Sequence, residues 1–269
     1  MNILADIGGT HMRIAASDAH DSFEEPVIFD TPAEFAAAVE LFASATRDIA
    51  HGRIITGGVI GVAGLVSADH QTLLKAPHLQ AWVGKDIAAA FGRAIGAPIR
   101  LENDAALAAL GEAQQGAGAG AGIVAYITVG TGIGGARIVD GNTDRSAFGF
   151  EIGHQRLGSD TDAPEWETFA SGSGLERRYG KLSSELADPA IWEECADHFA
   201  IGLYNTILHW SPDRVVLGGS LFTEKAIPLE RVRETLRAAA TALDDIPDIR
   251  LATLGDRSGL YGALTLSAA

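Results

Sequence analysis

The stretch LADIGGTHMRIA, residues 4–15, places a pair of glycines between two apolar segments. Residues 2–7 form a run typical of a buried strand, and residues 12–18 form a second one. Two strands joined by a short glycine turn predict a β-hairpin. Together with this hairpin, the elements to about residue 115 follow the order β-β-β-α-β-α-β-α, with the first helix starting at Pro32, which is typical of an α/β fold. Later helices are predicted around residues 165–180 and 188–210.

The turn of this hairpin carries residue types that suit a phosphate. Gly8 and Gly9 would let the backbone turn sharply and present N–H groups, and Thr10 would add a hydroxyl donor. Asp6 stands at the strand end, where a carboxylate could hold a hydrated Mg²⁺. An ordinary tight hairpin is the competing interpretation.

A second glycine turn, GTGIGG at residues 130–135, follows a strand predicted over 123–129. It matches the G-x-G-x-x-G pattern, but a dinucleotide site of that kind needs a helix after the glycines. Residues 136–141 alternate like a strand instead, which favours a second phosphate hairpin facing the first across a cleft. The nucleotide-binding residues predicted in this hairpin are Gly130, Thr131, Gly132 and Gly134.

The two hairpins open two halves with a similar order of elements, which predicts an α/β fold of two similar lobes with a cleft. Residues 116–122, GAGAGAG, cannot sit in a stable helix and predict a flexible connection, an exposed loop being the alternative. The predicted lobes are residues 1–115 plus about 255–269, and residues 116–254.

A candidate catalytic group lies in LENDAALAALGE, residues 101–112, where a strand ends and a helix begins. A sugar hydroxyl has a pKa far above 7, so phosphoryl transfer benefits from a carboxylate that accepts its proton. Asp104 is the candidate base. Simple capping of the helix by Asn103 or Asp104 is the alternative.

Candidate sugar ligands follow in FGFEIGHQRLG, residues 148–158, and in residues 164–180. Glu151, His154 and Glu167 offer the donors and acceptors that several sugar hydroxyls need, although solvated surface residues are the alternative. In VVLGGS, residues 215–220, Gly218 and Gly219 would let an adenine ring lie against the backbone, or would form a plain β-to-α turn.

Composition excludes several classes of function. Lys and Arg number 20 and Asp and Glu 35, a formal charge of −15 that disfavours nucleic acid and anionic lipid as partners. Cys195 is the single cysteine, so an intrachain disulfide and a cysteine zinc site are excluded. The sequence shows neither a signal-peptide pattern nor an apolar stretch of membrane-spanning length, and we expect a soluble, cytoplasmic protein.

In this order the motifs resemble the ROK family (repressor, open reading frame, kinase) of the hexokinase/actin superfamily, over the whole chain. LADIGGTHMRIA and VGTGIGGARIVDG look like its two phosphate hairpins, and EIGH looks like its sugar-binding signature. The other segments that carry the resemblance are GVIGVAGLVS (58–67), APHLQAW (76–82), LENDAALAALGE, VVLGGS and LGDRSGLYGA (254–263).

The resemblance implies two ribonuclease-H-like lobes of the actin-like ATPase type, a last helix packed on the first lobe, ATP and Mg²⁺ as cofactors, and commonly a homodimer. It implies Asp104 as general base. The implied substrate-binding residues are Asn103, Glu151, His154, Glu167, Gly64 and His78.

Two departures from the family pattern bear on the substrate. Family members usually carry a C-x-C-G-x-x-G-C cluster that binds zinc together with the histidine of EIGH, whereas residues 155–166 here contain no cysteine. We therefore expect no structural zinc, as in the zinc-free bacterial glucokinases. His11 stands where family members usually have Asn or Lys, and His78 stands where they usually have Asn.

These observations predict an ATP-dependent hexose kinase with glucose as the first choice of sugar. An N-acetylhexosamine or fructose remains open as the substrate. A non-catalytic, sugar-sensing regulator is the alternative from another class, because the family includes repressors with an N-terminal DNA-binding segment. The strand predicted from Asn2, the negative charge and the presence of Asp104 favour the enzyme.

Overall fold

The computed structural model describes residues 1–19, 21–146, 149–223 (without the side chain of residue 223) and 226–268. Phe148, the first residue of the FGFEIGHQRLG stretch, lies outside them. The chain divides into two compact units. Unit 1 comprises Met1–Gln114, Arg145–Gly149 and Asp256–Ala269, and unit 2 comprises Gln115–Asp144 and Phe150–Gly255.

Unit 1 is built on a five-stranded sheet with the order β3-β2-β1-β4-β7. The hairpin strands β1 and β2 are antiparallel, whereas β1, β4 and β7 run parallel. Its elements are β1 (Asn2–Ile7), β2 (His11–Ser17), β3 (Val27–Asp30), α1 (Phe35–Ala50), β4 (Gly57–Val62), β5 (Leu65–Val66), β6 (Leu73–Lys75), α2 (Ile87–Ile95), β7 (Ile99–Asn103), α3 (Asp104–Gln115) and, from the end of the chain, α9 (Ser258–Ser267).

Unit 2 repeats this plan in the sheet order β10-β9-β8-β11-β12, again with an antiparallel hairpin beside two parallel strands. The duplication predicted from the sequence is therefore present in the strand order. Its elements are β8 (Ile123–Val129), β9 (Ile133–Val139), β10 (Asn142–Thr143), α4 (Trp166–Ala170), α5 (Gly172–Tyr179), α6 (Pro189–Trp210), β11 (Arg214–Gly218), α7 (Ser220–Thr223), α8 (Leu229–Ala239) and β12 (Asp248–Leu251).

Each sheet has its own apolar core. In unit 1, Phe42 of α1 and Phe91 of α2 pack edge to face, with ring centroids 4.6 Å apart, against strand residues such as Ile60. The opposite face of this sheet is covered by α9, whose Leu260 packs with Leu4 of β1. In unit 2, the long helix α6 supplies Phe199 and other apolar side chains to the core of its own sheet.

Several boundaries differ from the sequence-based expectation. The first helix begins at Phe35 and not at Pro32. Its first helical hydrogen bond joins the N–H of Ala38 to the carbonyl of Glu34, the residue before the helix. Residues 65–75 form a small extra hairpin. The helix expected near 165–180 is two helices, since Ser171 ends α4 and caps α5 through its side chain.

The glycine-alanine stretch forms consecutive turns and no helix. Arg214 donates to the carbonyl oxygens of Ala117 and Ala119 at 3.2 and 2.9 Å, which ties these turns to β11. No helix among the described residues combines the length and the apolar character that a bilayer span requires.

Candidate active site

Two predicted functional carboxylates lie close together in unit 1. Asp6 is the penultimate residue of β1, Asp104 begins α3 after β7, and β4, which carries Gly61, lies between β1 and β7 in the sheet. A methyl group at Gly61 would lie 3.6 Å from the Asp6 carboxylate and 3.5 Å from the Asp104 Cα. The tight contact of such a methyl group would be with Leu107 of α3, at 2.9 Å, so the absence of a side chain at Gly61 lets α3 pack closely beside the two aspartates.

Burial of the two neighbouring carboxylates, Asp6 and Asp104, disfavours their charged forms. The pKa of Asp6 is raised to about 7, mainly because the carboxylate is withdrawn from water and next because Asp104 is nearby. Arg13 lowers the pKa of Asp6, and Asp256 raises it slightly further. Withdrawal from water also raises the pKa of Asp104, against the backbone N–H of Ala105, which donates to its carboxylate at 2.8 Å. The cluster therefore favours proton uptake and cation binding near neutral pH.

Arg13 and Asp256 complete this cluster. Arg13 lies opposite Asp6 in the β1–β2 register, and its Nη2 donates to Asp256 at 2.7 Å. The Nε of Arg13 has no hydrogen-bond partner within the described part of the chain. Gly259, in the first turn of α9, lies so close that a methyl group there would be 2.7 Å from the Asp6 carboxyl carbon.

Asn103 both caps α3 and orders its surroundings. Its Oδ1 accepts the backbone N–H of Ala106 at 2.9 Å, and its Nδ2 donates to the Gly64 carbonyl at 2.9 Å and to Asp104 at 3.2 Å. Gly64 has φ +135°, and a methyl group there would lie 2.3 Å from the Lys75 carbonyl. The capping alternative is therefore correct for Asn103, and it coexists with contacts to two predicted site residues.

The first glycine turn is arranged differently from the expectation. The N–H of Gly8 donates to the His11 carbonyl at 2.9 Å, so this group closes the hairpin and is not free for a phosphate. Gly9 is required by packing, because a methyl group would lie 2.7 Å from the His78 Cβ. Gly9 and Thr10 are exposed, and His78 lies beside them.

In the second glycine turn, only residues 130–132 lie outside the strands. Gly134 was expected in the turn, but it lies in β9 and pairs with Thr128, because the strand begins at Ile133. The start of α5 holds the turn: Gly172 N–H donates to Gly130 at 2.7 Å, and the Ser173 N–H and hydroxyl donate to Thr131. A methyl group at Gly132 would lie 3.1 Å from the Glu167 carboxylate.

The expected sugar ligands of unit 2 surround one imidazole. His154 Nε2 lies 3.8 Å from Glu151, and its Nδ1 lies 2.8 Å from Glu165. The hydrogen bond to Glu165 raises the pKa of His154 against partial burial, and Glu167 and Glu151 add to the increase. His154, Glu165 and Glu167 each place one ligand atom within 4.8 Å of the others, so the absence of structural zinc stays a prediction.

At the end of β11, packing accounts for both glycines of the VVLGGS motif. A methyl group at Gly218 would lie 2.6 Å from the Tyr126 hydroxyl. Gly219 has φ +87° and lies against Val129, and α7 begins at the next residue. This geometry is that of a β-to-α turn, and contact with adenine stays a prediction.

Comparison with known proteins agrees with this arrangement. The ROK family profile matches residues 3–269. The chain belongs to the ROK family. It is a sugar kinase with the actin-like ATPase fold of that family.

Curated relatives and a solved structure are similar to most of this chain. A glucokinase of Streptomyces coelicolor is 27% identical over 99% of this chain and 97% of its own length. A fructokinase of Zymomonas mobilis is 32% identical over 70% and 68%. The crystal structure of a Streptomyces griseus ROK glucokinase in complex with glucose and AMPPNP has a TM-score of 0.82, with 26% identity over 98% of each chain.

Within this ROK protein, sequence reasoning missed four residues next to the predicted site. Gly61 was inside a quoted motif, but its position between two carboxylates follows only from the strand order. Arg13 and Asp256 are 243 residues apart in sequence, and nothing local pairs them. The sequence pattern indicated Glu167 as a sugar ligand and gave no sign of Glu165, whose carboxylate lies 2.8 Å from Nδ1 of His154.

Proposed function

We propose that this protein phosphorylates a hexose, with glucose as the first choice, by direct in-line transfer of the γ-phosphoryl group of ATP. The observation that carries the proposal is Asp104, a partly buried carboxylate with a raised pKa at the start of α3, beside Asp6. Asn103 and the Ala105 N–H hold its side chain in one orientation.

Asp104 would act as the general base. A sugar hydroxyl must lose its proton as it attacks, and a carboxylate with a raised pKa is a better acceptor than an exposed one. The side-chain amide of Asn103 and the N–H of Ala105 both donate to Oδ1 of Asp104, so we propose Oδ2 as the oxygen that takes up that proton.

The residues present fit a divalent cation at Asp6. Its carboxylate is destabilised by loss of water and by Asp104, and a bound cation would compensate both effects. We propose that Asp6 holds Mg²⁺ through water. The ion would neutralise charge on the phosphates of ATP during transfer. Further nucleotide contacts are proposed for Gly9, Thr10, Gly130, Thr131, Gly132, Gly134, Gly218 and Gly219. Gly8, whose N–H closes the first hairpin, would contribute to nucleotide binding through the shape of that turn.

Sugar binding is proposed for Asn103, Gly64 and His78 of unit 1 and for Glu151, His154 and Glu167 of unit 2. Carboxylates accept hydrogen bonds from sugar hydroxyls, and an imidazole N–H donates one. The names of relatives support glucose and fructose as candidates.

A homodimer and a cytoplasmic location belong to the same proposal, and sedimentation velocity would test the dimer.

The first experiment is a coupled ADP-release assay with Mg-ATP and a panel of glucose, fructose, mannose, N-acetylglucosamine and N-acetylmannosamine. Glucose should give the highest kcat/KM. ADP release that no sugar stimulates would contradict the proposed function and favour a sugar-sensing regulator.

The second experiment is Asp104→Asn, with Asp48→Asn on the exposed face of α1 as the matched control. Loss of the base should lower kcat by about 10²–10⁴-fold, while the Kd for the sugar by calorimetry changes less than about threefold. The control should behave like the wild type. Equal losses of binding and turnover in Asp104→Asn would contradict its role as base.

A further inference from the structure

The His154 ring is held from one side by a carboxylate that the proposed function does not use. Its Nδ1 lies 2.8 Å from Glu165 Oε2, whereas Nε2 is 3.8 Å from Glu151, beyond hydrogen-bonding distance. One nitrogen of the ring is therefore engaged within the protein, and the other faces the acidic group of Glu151 and Glu167.

The loop between His154 and α4 delivers Glu165 to this position. Its two ends run antiparallel: the N–H of Trp166 donates to the Gln155 carbonyl at 2.8 Å, and the N–H of Leu157 donates to Pro164 at 3.0 Å. Arg156 and Glu165 form the bridge between these bonds. The fully buried Trp166 anchors the closing end in the core, so Glu165 is fixed by backbone pairing next to the ring.

We propose that Glu165 is a positioning residue for sugar binding, which accepts the Nδ1–H of His154 and so holds the ring in one rotation, with Nε2 left for a sugar hydroxyl. The inference rests on the proposed function of His154 as a sugar ligand. A carboxylate on one imidazole nitrogen determines the tautomer and the rotation of the ring. Without it, the ring could flip or lose the proton that it would donate.

The surrounding charges act in the same direction. Glu165, Glu167 and Glu151 are the acidic groups that raise the pKa of His154, and the hydrogen bond to Glu165 has the largest effect. The ring thus keeps a proton on both nitrogens to higher pH than a free imidazole would. Nε2–H is then a charged donor, which binds a hydroxyl oxygen more strongly than a neutral one does.

A purely stabilising role would predict something different. The side chains of His154 and Glu165 are 44% and 35% exposed, and ion pairs at such positions contribute little to folding stability. Loss of Glu165 should therefore change sugar affinity and the titration of His154 and leave the fold intact.

The test compares Glu165→Gln and Glu165→Ala with Asp162→Asn, which removes one negative charge from the same loop. KM and kcat for glucose are measured from pH 6 to 8.5, and the His154 ring nitrogens are followed by ¹⁵N NMR. Removal of a charge-assisted contact should raise KM about tenfold at pH 7.5 in both Glu165 variants, with kcat within about twofold. The His154 pKa should fall in both variants, and Asp162→Asn should match the wild type.

Each outcome separates the two proposals. If the wild type phosphorylates glucose and both Glu165 variants keep the wild-type KM and the wild-type ring titration, the positioning role is wrong and the proposed function stands. If no sugar is phosphorylated by the wild type, the proposed function itself is wrong. Wild-type activity that EDTA abolishes and added Zn²⁺ restores, in the continued presence of excess Mg²⁺, would assign His154 and Glu165 to a metal and overturn the positioning role.

Discussion

Replacing Asp6 by asparagine should make the protein more stable, and the gain should grow as the pH rises. The folded state raises the pKa of Asp6 from an ordinary 3.8 to about 7, so the folded chain binds more protons than the unfolded chain between these values. The free energy of unfolding then falls as pH increases through this window, and it levels off above pH 7. Asparagine does not titrate and avoids the loss.

The size of the effect follows from the two pKa values. One pKa unit corresponds to about 1.36 kcal/mol, so the full shift would cost the folded protein about 4 kcal/mol at alkaline pH. Between pH 5 and pH 8 the same relation gives an increase of about 2.5 kcal/mol in the advantage of Asp6→Asn over the wild type. Asp6 keeps some exposed surface, which makes this an upper limit.

Urea denaturation at pH 5, 6, 7 and 8, in EDTA and without nucleotide, measures this difference. Working with the change between pH values removes any constant effect of the new amide, and Asp48→Asn on the exposed face of α1 is the control. Turnover should be lost, because Asp6 is the proposed site of Mg²⁺. A stability difference that stays constant from pH 5 to pH 8, or that decreases, would refute the assignment of a strained carboxylate to Asp6.

Two further predictions concern packing and reactivity. Gly259→Ala places a methyl group 2.7 Å from the Asp6 carboxylate. The resulting overpacking should outweigh the gain in helix propensity and lower the free energy of unfolding by about 1–2 kcal/mol. An unchanged or higher urea midpoint would contradict this prediction. Burial raises the pKa of the Cys195 thiol to about 12, so the folded protein should not react with Ellman's reagent until urea unfolds it, whereas rapid stoichiometric labelling of the native protein would show that the thiol is accessible.

The regular elements were predictable where the pattern of apolar residues was local. The strands expected at residues 2–7 and 123–129 have those bounds in the structure, because a short apolar run ending in glycines leaves little choice of register. The long helix expected over 188–210 begins one residue later, at Pro189, with Asp188 as its cap. Asn103 and Asp104 were likewise marked by standing at a strand-to-helix junction.

The roles of the glycines were not predictable, because they depend on residues far away in sequence. Gly9 was interpreted as a phosphate-binding turn residue, yet its lack of a side chain accommodates His78. Gly132 similarly lies against Glu167. A sequence pattern reveals that a glycine is present, but the reason for it is a contact that only the folded chain brings about.

The position of Gly259 against Asp6 has a consequence for synthesis of this protein. The carboxylate is synthesised 253 residues before Gly259, which lies in the helix turn that shields it. A growing chain can therefore assemble the sheet of unit 1 early but cannot give Asp6 its final surroundings until α9 has emerged. The kinase should acquire its nucleotide chemistry only after α9 has packed against the sheet of unit 1.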